Sequence, residues 1–190
     1  NIDEPLYHLT VVVDDFEMGI THIIRGDDGI SNTPRQILIQ QGIGAPKPIY
    51  AHLPLILAPD KSKLSGRHGA VSVTEYQKNG YLPQALINYL ALLGWNPGTE
   101  QEIFSIEELI QSFDVSKIQK AGAVFNIEKL NWFNKQYISK MSDVEFSVYA
   151  KNFISKDISN RILPLIKEKI SYFGEIEALL NGELSFVDGV

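Results

Sequence analysis

The 190-residue sequence predicts an α/β segment followed by an all-α region. Three observations carry that prediction. β-Branched runs at Leu9–Val13 and Ile20–Ile24 stop at Asp14-Asp15 and at Arg25-Gly26, as short strands buried in a parallel sheet do. Residues 59–72 then break the apolar pattern with one long polar stretch. Beyond it, Ser or Thr is repeatedly followed three residues later by Glu or Gln ahead of an apolar period, which marks helix starts.

Along the first part, Thr33 as N-cap with Pro34 at the first helical position predicts a helix through Ile37, Leu38 and Ile39, ending near Gly42. Ile49–Ala51 and Leu55–Ala58 are strand candidates, kept short by Pro46, Pro48, Pro54 and Pro59. In the second part, capping-box spacing at Thr74/Gln77, Ser105/Glu108 and Ser142/Glu145, with Asn126 as a further N-cap, predicts successive helices. Pro83–Leu93 has a wide apolar face, with Gly94 placed as its C-cap. Ile106–Phe113, Ile127–Gln136, Asp143–Ile154 and Ile158–Phe173 are amphipathic, the last perturbed by Pro164.

Composition excludes several functions. The chain has no cysteine, which removes disulfides, thiolate zinc ligands and a cysteine nucleophile together. His8, His22, His52 and His68 have no metal-ligand spacing, so no zinc site is expected. No apolar run approaches the ~18 residues of a membrane span. The start, Asn-Ile-Asp-Glu, has neither a signal-peptide pattern nor a methionine, as expected for a piece of a longer protein. With 17 basic and 23 acidic side chains the net charge is −6, so any nucleic-acid contact must be local rather than a general attraction.

The candidate chemistry is cationic. In the polar stretch, Lys63, Ser65, Gly66 and Arg67 could neutralise and hydrogen-bond a triphosphate, although no Walker pattern is present. A solvated loop fits the same composition. Arg25, at the carboxyl end of a predicted strand, lies where ligands bind in open α/β sheets, and a fixed guanidinium suits a carboxylate; an ion pair with Asp27 or Asp28 is the competing reading. Asp14-Asp15 could hold magnesium or simply cap a turn. No Gly-x-Ser-x-Gly elbow supports serine hydrolysis, and Trp95, Trp132 and Tyr137 read as core rather than as stacking platforms.

Several long segments in order, Tyr7-His-Leu-Thr-Val-Val-Val-Asp-Asp through Ile23-Ile-Arg-Gly-Asp-Asp, Asn32-Thr-Pro-Arg-Gln, Tyr50-Ala-His-Leu-Pro-Leu-Ile-Leu, Lys63-Leu-Ser-Gly-Arg-His-Gly-Ala, Gly80–Trp95 and Val124–Trp132, resemble bacterial-type glutamyl-tRNA synthetases. The resemblance covers residues 7 to about 138. It implies class I chemistry, in which ATP activates L-glutamate as glutamyl-adenylate and the glutamyl group passes to the 3′ end of tRNA(Glu). It implies that Tyr7 and Arg25 line the amino-acid pocket, that Leu55 and Ile56 pack on adenine, and that Lys63–Arg67 is the loop usually written KMSKS, with Lys63, Ser65 and Arg67 catalytic and Gly66 among the ATP contacts. Magnesium is expected to accompany ATP. Residues 1–59 would be the second half of a Rossmann-like catalytic fold, 60–140 the loop and helical stem-contact region, and 141–190 the start of a helical anticodon-binding domain. The parent would be a cytoplasmic monomer.

Two departures bear on that reading. The His-Ile-Gly-His type signature is absent, so the isolated chain is expected to be inactive. Gly66 stands where the family loop carries its second lysine, and losing a cation aimed at developing charge can cost on the order of 10²-fold. The alternative is a non-catalytic RNA-binding or scaffold module with a synthetase-like body. A short relative that glutamylates a tRNA base fits less well, because that group lacks the helices after the loop.

Overall fold

The computed structural model describes residues 6–65, 72–154 and 161–182. They fall into two compact units, Asn1–Ile56 with Gln119–Ala123, and Leu57–Ile118 with Val124–Val190. A β-α segment of Rossmann type is followed by helices, as the sequence predicts.

The first unit opens on helix α1 (Tyr7–Glu17), where the sequence predicts a strand over Leu9–Val13. A run of five β-branched and apolar residues is too short to reveal a helical period. The period is carried by His8, Val12 and Asp15, spaced four and three apart, which form the sheltered face while Leu9 and Thr10 stay exposed. The helix stops in a Schellman turn: Ile20 N–H donates to the Asp15 carbonyl (2.8 Å), Gly19 N–H to that of Phe16 (3.1 Å), and Gly19 has φ +67°. Strand β1 (His22–Gly26) pairs in parallel with β2 (Ile49–Leu53), in the register Arg25 opposite His52. Between them lie a 3₁₀ turn (Asp27–Asn32) and helix α2 (Thr33–Gly42).

Pro34 does occupy the first turn of α2, but the N-cap is Asn32 and the Thr33 hydroxyl is used elsewhere. Helix α2 ends at Gly42, as the sequence predicts, and the turn that follows is centred on Gly44 (φ +72°). Leu55–Ala58 is no strand. Leu57 makes single bridges to Lys63 and Val124, and Pro54 and Pro59 leave no room for a longer ladder.

In the second unit, α3 (Val73–Lys78) is capped by Ser72, whose hydroxyl accepts from Glu75 N–H, two residues before the predicted Thr74. The helices α4 (Pro83–Gly94), α5 (Ile106–Ser112), α6 (Ile127–Lys140) and α7 (Asp143–Ala150) start where the sequence places them. Ser105 and Ser142 form reciprocal capping boxes, and Asn126 accepts from Glu128 and Lys129 N–H. Gly94 is the last helical residue rather than a left-handed cap, since Trp95 continues in an extended conformation. The α7 stretch passes into a 3₁₀ turn at Lys151–Phe153. Part of the predicted Ile158–Phe173 helix lies outside the described residues. The described part is α8 (Leu163–Lys169), with Pro164 in its first turn, where no N–H is needed. A 3₁₀ turn at Phe173–Glu175 then leads into α9 (Ile176–Asn181).

Among the described residues, three apolar clusters fill this unit: one around Phe146, Ile166 and Phe173, an aromatic one around Tyr76, Tyr81, Tyr89 and Phe133, and one around Trp95 and Phe104. Buried amides tie them together. Asn134, fully buried, accepts from Leu82 N–H (2.8 Å) and donates to the Ser171 carbonyl (2.6 Å). Asn88 accepts from Phe104 N–H (2.9 Å) and from the Tyr137 hydroxyl (2.7 Å). At Gly80 (φ +80°) a Cβ would lie 2.6 Å from the Phe173 Cβ, so only glycine lets α3 end there.

Replacing Asn134 by Ala leaves a buried N–H and a carbonyl unpaired. It is expected to cost about 2 kcal/mol or more, read as a lower urea midpoint at unchanged slope. Burial raises Tyr76, Tyr81, Tyr89 and Tyr137 above their ordinary value of 10.0, Tyr137 to about 12. Their neutral forms are favoured in the folded state, so their contribution is complete below pH 10 and declines as pH rises above it, that of Tyr137 through about 12. Urea midpoints measured between pH 8 and pH 11 are expected to hold level and then fall.

Candidate functional site

The best-defined polar constellation of the first unit is built around Arg25. Parallel pairing brings the carboxyl ends of β1 and β2 side by side, and the 3₁₀ turn folds back from β1 before α2 begins. Arg25 is half-buried there. Its Nη2 donates to the Gly29 carbonyl (3.1 Å) and to the Thr33 hydroxyl (2.7 Å). The guanidinium lies over the Tyr50 ring, 5.4 Å from its centroid. A Cβ at Gly29 would come within 2.6 Å of Nε, so the arginine packs against the bare Cα of that glycine. Nε is buried with no hydrogen-bond partner among the described residues.

Behind Arg25 the network continues. The Thr33 hydroxyl is 3.2 Å from the Gly29 carbonyl and 3.0 Å from His52 Nε2. Tyr50 and His52, successive residues on one face of β2, have nearly parallel rings 6.4 Å apart. Gln40 Nε2 donates to the Tyr50 hydroxyl (3.0 Å). Thr33 and His52 also line an open apolar depression of about 570 Å³ with Ile30, Pro34, Ile37 and Leu38. A second cleft, of about 250 Å³, lies between the end of α1 and the turn after α2, with Val12, Phe16, Ile20 and Gln40 in its wall.

The other predicted site residues are placed individually. Tyr7 is in the first turn of α1, 62% exposed, its ring edge-on to His8 at 5.3 Å; no hydrogen bond or ring contact joins it to Arg25 among the described residues. Leu55 is half-buried near Gly26, and Ile56 is exposed. Lys63 and Ser65 follow a tight turn of the second unit. There Lys61 (φ +65°) donates its N–H to the Ala58 carbonyl, and Asp60 Oδ1 accepts from the N–H (2.9 Å) and hydroxyl (2.6 Å) of Ser62. Lys63 is exposed and bridges to Leu57. Gly66 and Arg67 lie outside the described residues.

Asp14 and Asp15 sit within α1, and no cluster of three or more His, Asp or Glu able to hold a metal occurs among the described residues. No helix of the described residues is long and apolar enough to cross a membrane. Of the aromatic residues read as core, Trp95 is buried, but Trp132 is 38% exposed beneath the Lys129 ammonium, 4.2 Å from its ring. Sequence reasoning missed the seat of Arg25. Gly29, Thr33, Tyr50 and His52 form no motif, and only the strand register unites them.

Comparison with known proteins places the chain in a family. Residues 2–132 match the family described as tRNA synthetases class I (E and Q), catalytic domain. The glutamate–tRNA ligase of Nitrosospira multiformis is 47% identical over 182 residues, and that of Francisella tularensis subsp. holarctica 51% over 176. Each match takes in 90% of this chain but only 39% and 36% of the relative. Among solved structures, a glutamate tRNA ligase from Elizabethkingia meningosepticum in complex with its amino acid superposes with a TM-score of 0.81 at 35% identity, covering 94% of this chain and 40% of that one. Glutamate-tRNA synthetase from Elizabethkingia anophelis gives 0.82 at the same identity. The chain spans about two fifths of the length of the relatives it matches, and it belongs to the class I tRNA synthetases of the glutamate and glutamine type.

Proposed function

We propose that this chain is the central part of a glutamate–tRNA ligase. In that reaction an oxygen of the L-glutamate α-carboxylate attacks the α-phosphorus of ATP and pyrophosphate leaves. The 3′-terminal ribose of tRNA(Glu) then takes the glutamyl group and releases AMP. The observation that carries the reading is the fixed guanidinium of Arg25 at the carboxyl end of a parallel strand, in a chain of this family. It supplies a planar cation at the position where open α/β sheets bind ligands, and a carboxylate is its natural counterpart.

Within the reading, Arg25 and Tyr7 receive glutamate, and Leu55 and Ile56 offer apolar surface to adenine. Lys63, Ser65, Gly66 and Arg67 form the loop that meets the phosphates, whose charge a magnesium ion shares. Residues 1–59 complete the nucleotide fold, 60–140 carry the loop and the tRNA stem contacts, and 141–190 begin the anticodon-binding part. The parent acts as a cytoplasmic monomer.

Steady-state ATP–pyrophosphate exchange on the full-length enzyme tests this. Arg25→Ala is expected to raise the KM for L-glutamate by roughly 10²-fold, the weight of a charge-assisted pair, with the KM for ATP little changed. An unchanged glutamate KM would remove Arg25 from the pocket. The 190-residue chain alone is expected to give no glutamate-dependent exchange. Gly66→Lys restores a cation aimed at the departing pyrophosphate, so single-turnover adenylate formation should accelerate while glutamate affinity stays constant. Equal rates would show that this cation is irrelevant.

A further inference from the structure

Arg25 does not hold itself in place. An arginine side chain carries about 2 kcal/mol of rotamer entropy, and a guanidinium only donates, so whatever fixes it must be an acceptor or a flat surface. The structure supplies both. The Gly29 carbonyl and the Thr33 hydroxyl take the two Nη2 contacts, the guanidinium lies over the Tyr50 ring, and the bare Cα of Gly29 leaves room for its Nε end. Of these partners, Tyr50 belongs to β2 itself, and Thr33 is tied to β2 through its side chain, by His52.

We propose that Thr33, with His52 behind it, is the positioning residue that sets the pose of Arg25 and through it the affinity for the substrate carboxylate. The proposal rests on the assignment of Arg25 to glutamate. Its basis is proton accounting. Thr33 Oγ1 has one hydrogen and two lone pairs. Arg25 can only donate, so one lone pair is committed to Nη2 at 2.7 Å. The Gly29 carbonyl, at 3.2 Å, can only accept. His52 Nε2, at 3.0 Å, donates or accepts according to its tautomer. When Nε2 carries hydrogen, Thr33 accepts from both His52 and Arg25 and donates to Gly29, and all three contacts are made. When Nε2 is bare, the hydroxyl donates to His52 or to Gly29 but not to both, and the turn loses one tie. Thr33 therefore couples the arginine to the strand opposite it, and the Nε2–H tautomer of His52 completes the seat. Gly29 limits the pose from the other side, since a Cβ there would strike Nε and Cδ.

The test uses the full-length enzyme, with KM and kcat for L-glutamate and for ATP from pyrophosphate exchange and a thermal melt of each variant. Thr33→Val keeps the shape and removes the hydroxyl. It is expected to raise the glutamate KM roughly tenfold or more, as loss of a hydrogen bond to a charged group does, while kcat and the ATP KM stay within about twofold. Thr33→Ser restores the hydroxyl and is expected to bring the glutamate KM back to near wild type. His52→Gln, which offers an N–H and a carbonyl near the Nε2 place, should cost less than His52→Leu. If Thr33→Val does not fold, Gly29→Ala reads the same seat and should raise the glutamate KM with Thr33 intact.

A glutamate KM unchanged in Thr33→Val, while Arg25→Ala raises it, overturns the positioning role and leaves the assignment of Arg25 standing. Parallel losses in kcat, ATP KM and melting temperature that Ser does not rescue also overturn it, by making Thr33 a structural joint of the turn. If Arg25→Ala itself leaves the glutamate KM unmoved, the assignment fails and the proposal falls with it.

Discussion

Parallel pairing of β1 with β2 is the constraint from which the candidate site follows. Side chains alternate across a strand, so a slip of one residue would turn Arg25 to the opposite face and leave Tyr50 and His52 behind. The observed register sets Arg25 opposite His52, with Tyr50 two residues earlier on the same face of β2. A parallel ladder needs a crossover, and the 3₁₀ turn with α2 provides it. That same crossover delivers the Gly29 carbonyl and the Thr33 hydroxyl to Nη2. Strand register, crossover and arginine pose are therefore one arrangement.

The second unit is organised by a different means. Its apolar clusters supply the driving force for burial, but apolar contact alone is non-directional and tolerates sliding. Asn134 and Asn88 remove that freedom, because each side-chain carbonyl accepts from a backbone N–H of a distant segment: Leu82 for Asn134 and Phe104 for Asn88. A helix that shifted by one residue would leave those groups buried and unpaired. The tyrosine hydroxyls act in the same way, Tyr89 on the backbone of Asn126 and Tyr137 on Asn88 and Phe104. Burial of these rings explains their reluctance to ionise.

What the sequence reveals follows the range of each interaction. Caps act within four residues, so Ser105, Asn126 and Ser142 are legible from spacing alone. At Thr33 the same local rule misleads, because its hydroxyl answers to Arg25 and His52, eight and nineteen positions away. Leu9–Val13 misleads for the opposite reason. Its β-branched composition is a local preference of a few tenths of a kcal/mol per residue, outweighed by packing of the sheltered α1 face. Arg25 is legible because its place at a strand end is a one-dimensional fact, whereas its seat is invisible until two strands are aligned. Trp132 is misread when residue type alone is weighed: Leu130, Phe133, Asn134 and Ile138 share the buried face of α6, and the helical period sets Trp132 on the opposite one, at the surface under Lys129.

The two cations to which the proposed function gives roles differ in a way that fits what each would be asked to do. Arg25 is half-buried, bonded to a carbonyl and a hydroxyl and flanked by a ring, so its ordering is completed on folding and a carboxylate meets a preorganised group. Such a contact is present in the ground state and expresses itself as affinity. Lys63 is exposed beside a tight turn, in a side chain with many rotamers. A cation of that kind contributes little to holding a solvated ground state, but it can follow charge that grows on departing pyrophosphate, where a contact made only in the transition state raises the rate. In a chain whose net charge is −6, neither cation draws on a general positive field. In the proposed reaction each would act through its own placement, the arginine on affinity for the carboxylate and the lysine on the rate of activation.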